Sequence, residues 1–199
     1  VFALSWAGAD QSIYQSIDSG STWTLAYTTS NQLNDIAISD DGNTVVVAAA
    51  HGILKSINMG GSFNLTASPG GITPLANWQR IDISADGSKI IATSTFRSIY
   101  KSTDGGAAWT QLTNSGERFW FDIAISSDGL TILGVTRDDV QGVWTSRDGG
   151  QTFSGADIGS SFAPVQAVYA SMSDDGAVML ATSYGTSPKM SNDSGQTWS

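Results

Sequence analysis

Few side chains in this sequence can do chemistry, and their identities limit what that chemistry would be. There are five arginines, a single glutamate, Glu117, and a single histidine, His51. Arg80, Arg97, Arg118 and Arg137 fall in or beside turn-rich stretches, together with Glu117, Asp138, Asp139, His51, Trp78, Trp120 and Tyr184. Guanidinium groups grip carboxylate, sulfate or phosphate bidentately, and Trp78, Trp120 and Tyr184 would stack on sugar rings beside them. Glycoside hydrolysis needs two carboxylates across the scissile bond. Glu117 with Asp138 or Asp139 would form such a pair, brought together from separate parts of the chain. The competing reading is structural. Arginines on an acidic surface pair with nearby aspartates, where exposed pairs contribute little, and tryptophans plug gaps between sheets. His51 has no cysteine or second histidine to work with and reads as a loop-capping residue. No metal site and no cofactor is expected.

The whole chain sets further limits. Nine Lys plus Arg against eighteen Asp plus Glu give a net charge of −9. Phosphate backbones and anionic membranes need basic surfaces, so nucleic acid is excluded as a partner. No apolar run reaches the length of a membrane span, and direct membrane insertion is not expected. With no cysteine there is no disulfide or thiolate chemistry. All the acids but one are aspartates, which favour turns where glutamate favours helices, so the protein should be rich in loops and poor in helix. The sequence opens at Val1 in the apolar run Val1-Phe2-Ala3-Leu4 and reads as a segment of a longer protein.

The elements that must position these residues follow from a repeat. Ser102-Thr103-Asp104-Gly105-Gly106-Ala107-Ala108-Trp109 has the pattern Ser, any, Asp, any, Gly, two variable positions, aromatic. It recurs from Ser16 to Trp23, Ser56 to Phe63, Ser146 to Phe153 and Ser191 to Trp198, at spacings of 40, 46, 44 and 45 residues. A near-constant period of this size signals a repeat architecture whose units stack to bury a common core. Within a unit, Leu33–Ser39 alternates as a strand, Asp41-Gly42 makes a tight turn, and Thr44–Ala50 and Ile53–Ile57 are further strands. Phe63 opens a fourth. The same order repeats with first strands at Arg80–Ser84, Phe119–Ser126 and Val165–Ser173, and turns at Asp86-Gly87, Asp128-Gly129 and Asp175-Gly176. Four short antiparallel strands per unit predict an all-β propeller. About five blades are visible, near 1–30, 31–76, 77–115, 116–160 and 161–199, in one repeat domain, the first blade lacking its innermost strand.

The octapeptide resembles the Asp box, or bacterial neuraminidase repeat, and all five units carry it. Asp boxes occur in sialidases, other propeller glycoside hydrolases, sortilin-type receptor domains and photosystem assembly factors. The resemblance implies a propeller in which the box is the turn between the third and fourth strands, remote from any active site. Asp18, Asn58, Asp104, Asp148 and Asp193 are therefore expected to be hairpin hardware. Ligands would bind on the opposite face, where the second-to-third-strand and blade-to-blade connections collect four of the five arginines, Glu117 and His51. A sialidase-like hydrolase further needs an Arg-Ile-Pro segment and a tyrosine matched to a glutamate, and this sequence shows neither. The expected function is thus non-catalytic recognition or scaffolding in an exported or surface protein, with a protein or a glycan as partner. The alternative is a glycoside hydrolase or an anionic-glycan-binding propeller. Asn64, in Asn64-Leu65-Thr66, is a glycosylation candidate.

Overall fold

The computed structural model describes residues 1–6, 10–66, 77–95, 97–136, 142–157, 168–183 and 187–199. They form five antiparallel sheets in chain order. The first holds β1 (Phe2–Ser5), β2 (Gln11–Gln15) and β3 (Thr24–Thr29), and the second β4 (Leu33–Ile38), β5 (Val45–Ala49), β6 (Gly52–Ser56) and β7 (Asn64–Leu65). The third holds β8 (Trp78–Ile83), β9 (Ile90–Ser94), β10 (Ile99–Ser102) and β11 (Thr110–Leu112). The fourth holds β12 (Trp120–Ile125), β13 (Ile132–Thr136), β14 (Gly142–Ser146) and β15 (Ser154–Asp157). The fifth holds β16 (Val168–Met172), β17 (Met179–Ser183) and β18 (Lys189–Ser191). At its edge Met190 and Ser199 exchange backbone hydrogen bonds of 3.0 Å, the start of a fourth strand. The helical content among the described residues is one 3-10 turn, Thr113–Ser115.

Sheets pack face to face. The second strands β5, β9 and β13 are buried at every position, because both of their faces meet a neighbouring sheet. Val46, Ala48 and Ile53 of the second sheet pack on Ile81, Ile83, Ile90 and Ala92 of the third. Ile91 and Ile99 of the third pack on Ile123, Ile125 and Ile132 of the fourth, and Leu133, Val135 and Val143 of the fourth on Met179 and Ala181 of the fifth. Each repeat therefore lends one apolar face forward and one backward.

Local chemistry fixes the turns at one end of every sheet. In the first turn of the second sheet the Ser39 hydroxyl donates to Asp41 at 2.6 Å and accepts from the Thr44 amide, while Gly42 adopts φ 73°. In each octapeptide the serine hydroxyl donates to Oδ1 of the Asp, or Asn58, and accepts the amide of the glycine four residues on. Two successive residues then take positive φ, as at Met59 (58°) and Gly60 (82°). A side chain at Gly60 would run into the Phe2 ring of the preceding sheet, so only glycine fits there. The octapeptide also bonds the first turn of its own sheet, through Met59 to Asn43, Gly105 to Ser88, Gly149 to Leu130 and Ser194 to Ala177. Both kinds of turn thus share one face of the molecule.

Successive sheets are fastened on that same face. The amides of Asp40, Ala85 and Ser127 donate in turn to the carbonyls of Ala85, Ser127 and Asp174. A side chain from each sheet reaches the carbonyl of the fourth octapeptide residue in the next: Gln15 to Met59, Lys55 to Gly105, Lys101 to Gly149 and Arg147 to Ser194.

Candidate functional site

Among the described residues, the opposite face carries the β5–β6 turn, the ends of the β9–β10 connection and the segment leading into β12. Arg97 and Arg118 meet there as an isolated antiparallel bridge, which brings Glu117 beside them. Arg97 and Glu117 are exposed. Burial raises the Tyr100 hydroxyl above its ordinary value, with Arg97 pulling it down and Glu117 pushing it up, so all three lie within electrostatic reach. Arg118 turns inward instead. Its guanidinium sits 3.7 Å over the Trp144 ring and 5.8 Å over Trp120, and it donates to the Ser115 carbonyl. His51 is exposed in the β5–β6 turn, and Asn64 is exposed on β7. Arg137, Asp138, Asp139 and Tyr184 lie outside the described residues.

The two tryptophans correct an expectation. Trp78 and Trp120 are 1% and 3% exposed and present no face to a sugar. Trp78 meets Tyr100 edge-on at 5.4 Å within the core. The cause is a boundary: β8 begins at Trp78, two residues before the alternation suggests, so the ring enters the sheet instead of the loop.

Arg80 likewise belongs to a strand. Its Nε lies 3.7 Å from Asp122 Oδ1, its Nη1 donates to the Gln79 carbonyl at 2.9 Å, and its guanidinium stands 5.6 Å from the Phe121 ring centre. A small cavity of about 180 Å³ opens here, lined by Gln79, Arg80, Thr95, Phe119, Trp120 and Phe121.

Beneath it the innermost strands carry three carboxylates that the sequence reading overlooked. Asp35 on β4 accepts the amide of Ile36 on its own strand and that of Ile81 on β8, at 2.9 and 3.0 Å. Asp82 accepts from Ile83 and from Ile125 on β12, and Asp122 from Ile123 and from Ala170 on β16. Each side chain is a clasp between consecutive inner strands. Bulges before Asp35, Arg80 and Asp122, at the same place in three sheets, re-aim these side chains. Burial raises all three acids, Asp82 to about 6, against the lowering effect of the amides they accept. Among the described residues no cluster of three or more metal-ligating side chains occurs.

No known family model matches the chain, and no curated protein matches its sequence. Solved structures do share its architecture. A GH74 enzyme from Niastella koreensis superposes with a TM-score of 0.73 at 18% identity, over 97% of this chain and 35% of that one. An ancestral GH74 enzyme gives 0.65 at 19%, over 94% and 28%. The GH74 xyloglucanase from Xanthomonas campestris gives 0.59 at 14%, over 96% and 43%. The fold is that of a β-propeller. At these identities the likeness concerns fold alone, and the chain spans less than half the length of each of these structures.

Proposed function

We propose that this chain is a non-catalytic propeller segment of the Asp-box type, a recognition or scaffold module of an exported or cell-surface protein. Its partner, a protein or a glycan, would bind the face carrying Arg97, Glu117 and His51. The supporting observation is how the inner acids are used. Asp35, Asp82 and Asp122 each spend both oxygens on backbone amides of two adjoining sheets. That is the work of a clasp, whereas an acid/base pair faces a substrate across an open gap. Loops held by a rigid scaffold are where recognition concentrates. In a eukaryotic host, exposed Asn64 would carry a glycan on the outer edge.

The likeness to GH74 enzymes favours a second reading, binding or hydrolysis of a glycan, with Glu117, Asp138 and Asp139 as its acids and Arg97 and Arg137 as its grip. A glycan array followed by a reducing-end assay separates the two. The preferred reading expects partner binding that Arg97→Ala weakens at least tenfold, with no turnover of any bound glycan. Turnover that Glu117→Gln removes would overturn it in favour of the hydrolase.

A further inference from the structure

An arginine lining a cavity suggests an anion as its ligand, but the charge of Arg80 is already matched. Asp122 lies 3.7 Å from its Nε, and Asp35, raised by burial, is pulled back down by the same guanidinium. Asp35, Arg80 and Asp122 hold one place on three consecutive inner strands, paired with Ala48, Thr93 and Val135. The arginine therefore stands between two carboxylates, and Asp82 adds a third that feels both of the others. The hydrogen bonding, by contrast, is incomplete. Nη1 of Arg80 donates to the Gln79 carbonyl, while Nε and Nη2 donate to none of the described residues. The Gln79 carboxamide and the Thr95 hydroxyl likewise have no hydrogen-bond partner among the described residues. All three side chains line the cavity beside Phe119 and Phe121, whose rings lie 6.3 Å apart at 34° and form one apolar wall.

We propose that this cavity is a subsite for one neutral, hydroxyl-bearing ring, a pyranose unit of an uncharged glycan, and that Asp122 is the residue that keeps anions out. The inference rests on the recognition reading above and narrows the ligand of that face to one chemistry. Hydroxyls both donate and accept, and the cavity offers both: donors on Arg80 and Gln79, acceptors on Gln79 and Thr95. The wall of Phe119 and Phe121 takes the C–H face of the ring, as aromatic surfaces with a few convergent polar groups do in ligand pockets. A carboxylate only accepts. It would also enter beside Asp122 and Asp35 with no unmatched cation to meet it, and that like charge rejects it. Space sets the size. The cavity holds about 180 Å³, below the roughly 300–1,000 Å³ of pockets for drug-sized ligands, so it takes a single ring and not a chain.

Ligand-detected NMR on the full chain at neutral pH tests it, with methyl glucopyranoside and methyl galactopyranoside as probes beside the uronates of the same rings. At least one neutral glycoside should bind, and at least tenfold more tightly than its uronate. Gln79→Ala removes a side-chain amide without a partner among the described residues, so it should weaken that binding at least fivefold and leave the urea midpoint unchanged. Asp122→Asn should raise uronate binding relative to the neutral ring at least fivefold. If that variant does not fold, Gln79→Lys replaces it, since it adds an unmatched cation without touching a clasp and should shift the ratio the same way. No binding of either neutral glycoside, or a uronate bound as tightly as its neutral counterpart, overturns the proposal on the wild-type chain alone. So does a ratio unmoved in the folded charge variant. A protein partner that Arg97→Ala weakens, with no sugar bound, overturns the subsite and leaves recognition on that face standing. Glycan turnover that Glu117→Gln removes would instead strike the non-catalytic reading, while the preference for neutral rings could still be measured on that variant.

Discussion

Folding pulls the aspartates of this protein in opposite directions, and the local bonds explain which way each moves. Asp193 accepts the hydroxyl and the amide of Thr197 and the hydroxyl of Ser191, which hold its carboxyl at about 2. Thr22 and Ser16 do the same for Asp18. Asp82 has only backbone amides to offset its burial, and desolvation lifts it to about 6. The depressed acids contribute stability that is complete above their unfolded value of 3.8 and is lost as pH falls toward 2. Asp82 works the other way. The folded state binds its proton more tightly than the unfolded chain, so stability falls as pH rises from 3.8 to about 6, by about 3 kcal/mol in all. Denaturant midpoints should therefore rise on acidification from about pH 7 to about pH 4.5, then drop steeply below about pH 3.8. Asp82→Asn should shrink the rise to what Asp35 and Asp122, also raised by burial, contribute, and keep the acid collapse. A rise undiminished in that variant would assign it to other groups.

At the scale of elements, the octapeptide turn both closes its own hairpin and serves as a socket for the sheet before it. Lys101 shows how much this joint carries. It is largely buried, and its ammonium donates to the carbonyls of Gly129 and Gly149, at 2.9 and 3.0 Å. Lys101→Met keeps the apolar stem but leaves two carbonyls without their donor. The loss should be roughly 2–6 kcal/mol, from about 1–3 per stranded group, read as a lower urea midpoint at constant slope. An unchanged midpoint would mean that water replaces the ammonium without cost. The hairpin half of this element was legible in the sequence, because Ser, Asp and Gly at fixed offsets form a bonded turn with no help from elsewhere. The socket half was hidden, since Lys101 and Gly149 lie 48 residues apart and nothing near either announces the other. The same distance concealed Asp35, Asp82 and Asp122, whose partners sit on the next inner strand. An aspartate in an alternating strand reads as facing water, and only its recurrence at or near one register position in three repeats hints at a shared task. Trp78 was misread for a smaller reason, a strand that starts two residues early. On the candidate face, strand order alone groups Arg97, Glu117 and Arg118, because topology fixes which connections share an end, and Arg97 and Arg118 pair there as an isolated bridge. Which of them turns inward depends on Trp144, whose place over Arg118 the chain order does not reveal.

For the molecule as a whole, the consequence of stacking is uneven stability. Leu180 occupies the place of Val46, Ile91 and Leu133, yet it is 38% exposed where they are fully buried, because among the described residues no sheet covers the forward side of the fifth. Tyr169 stands where Asp35 and Asp122 make their clasps, and Met190 where Lys55 and Lys101 make their staples. Among the described residues, the forward side of the fifth sheet thus lacks the clasp and the staple that the second, third and fourth sheets make to their successors. The rear of the first sheet is open as well, at Val1, Trp23 and Leu25. Each large apolar side chain left uncovered forgoes up to about 1.5–3 kcal/mol of burial. A stacked repeat of this kind opens from its ends, since inner units have two interfaces to break and terminal units one. Amides of β5, β9 and β13 should exchange only through global unfolding, while those of β1, β17 and β18 open first. Their protection should be lower by roughly tenfold or more, equal to at least about 1.4 kcal/mol in opening free energy. Lys101→Met should widen the gap between the two groups on its own side, detaching the fourth and fifth sheets together from the third. Uniform protection across all five sheets, in the wild type and in the variant, would show one cooperative unit and refute an order set by the number of interfaces.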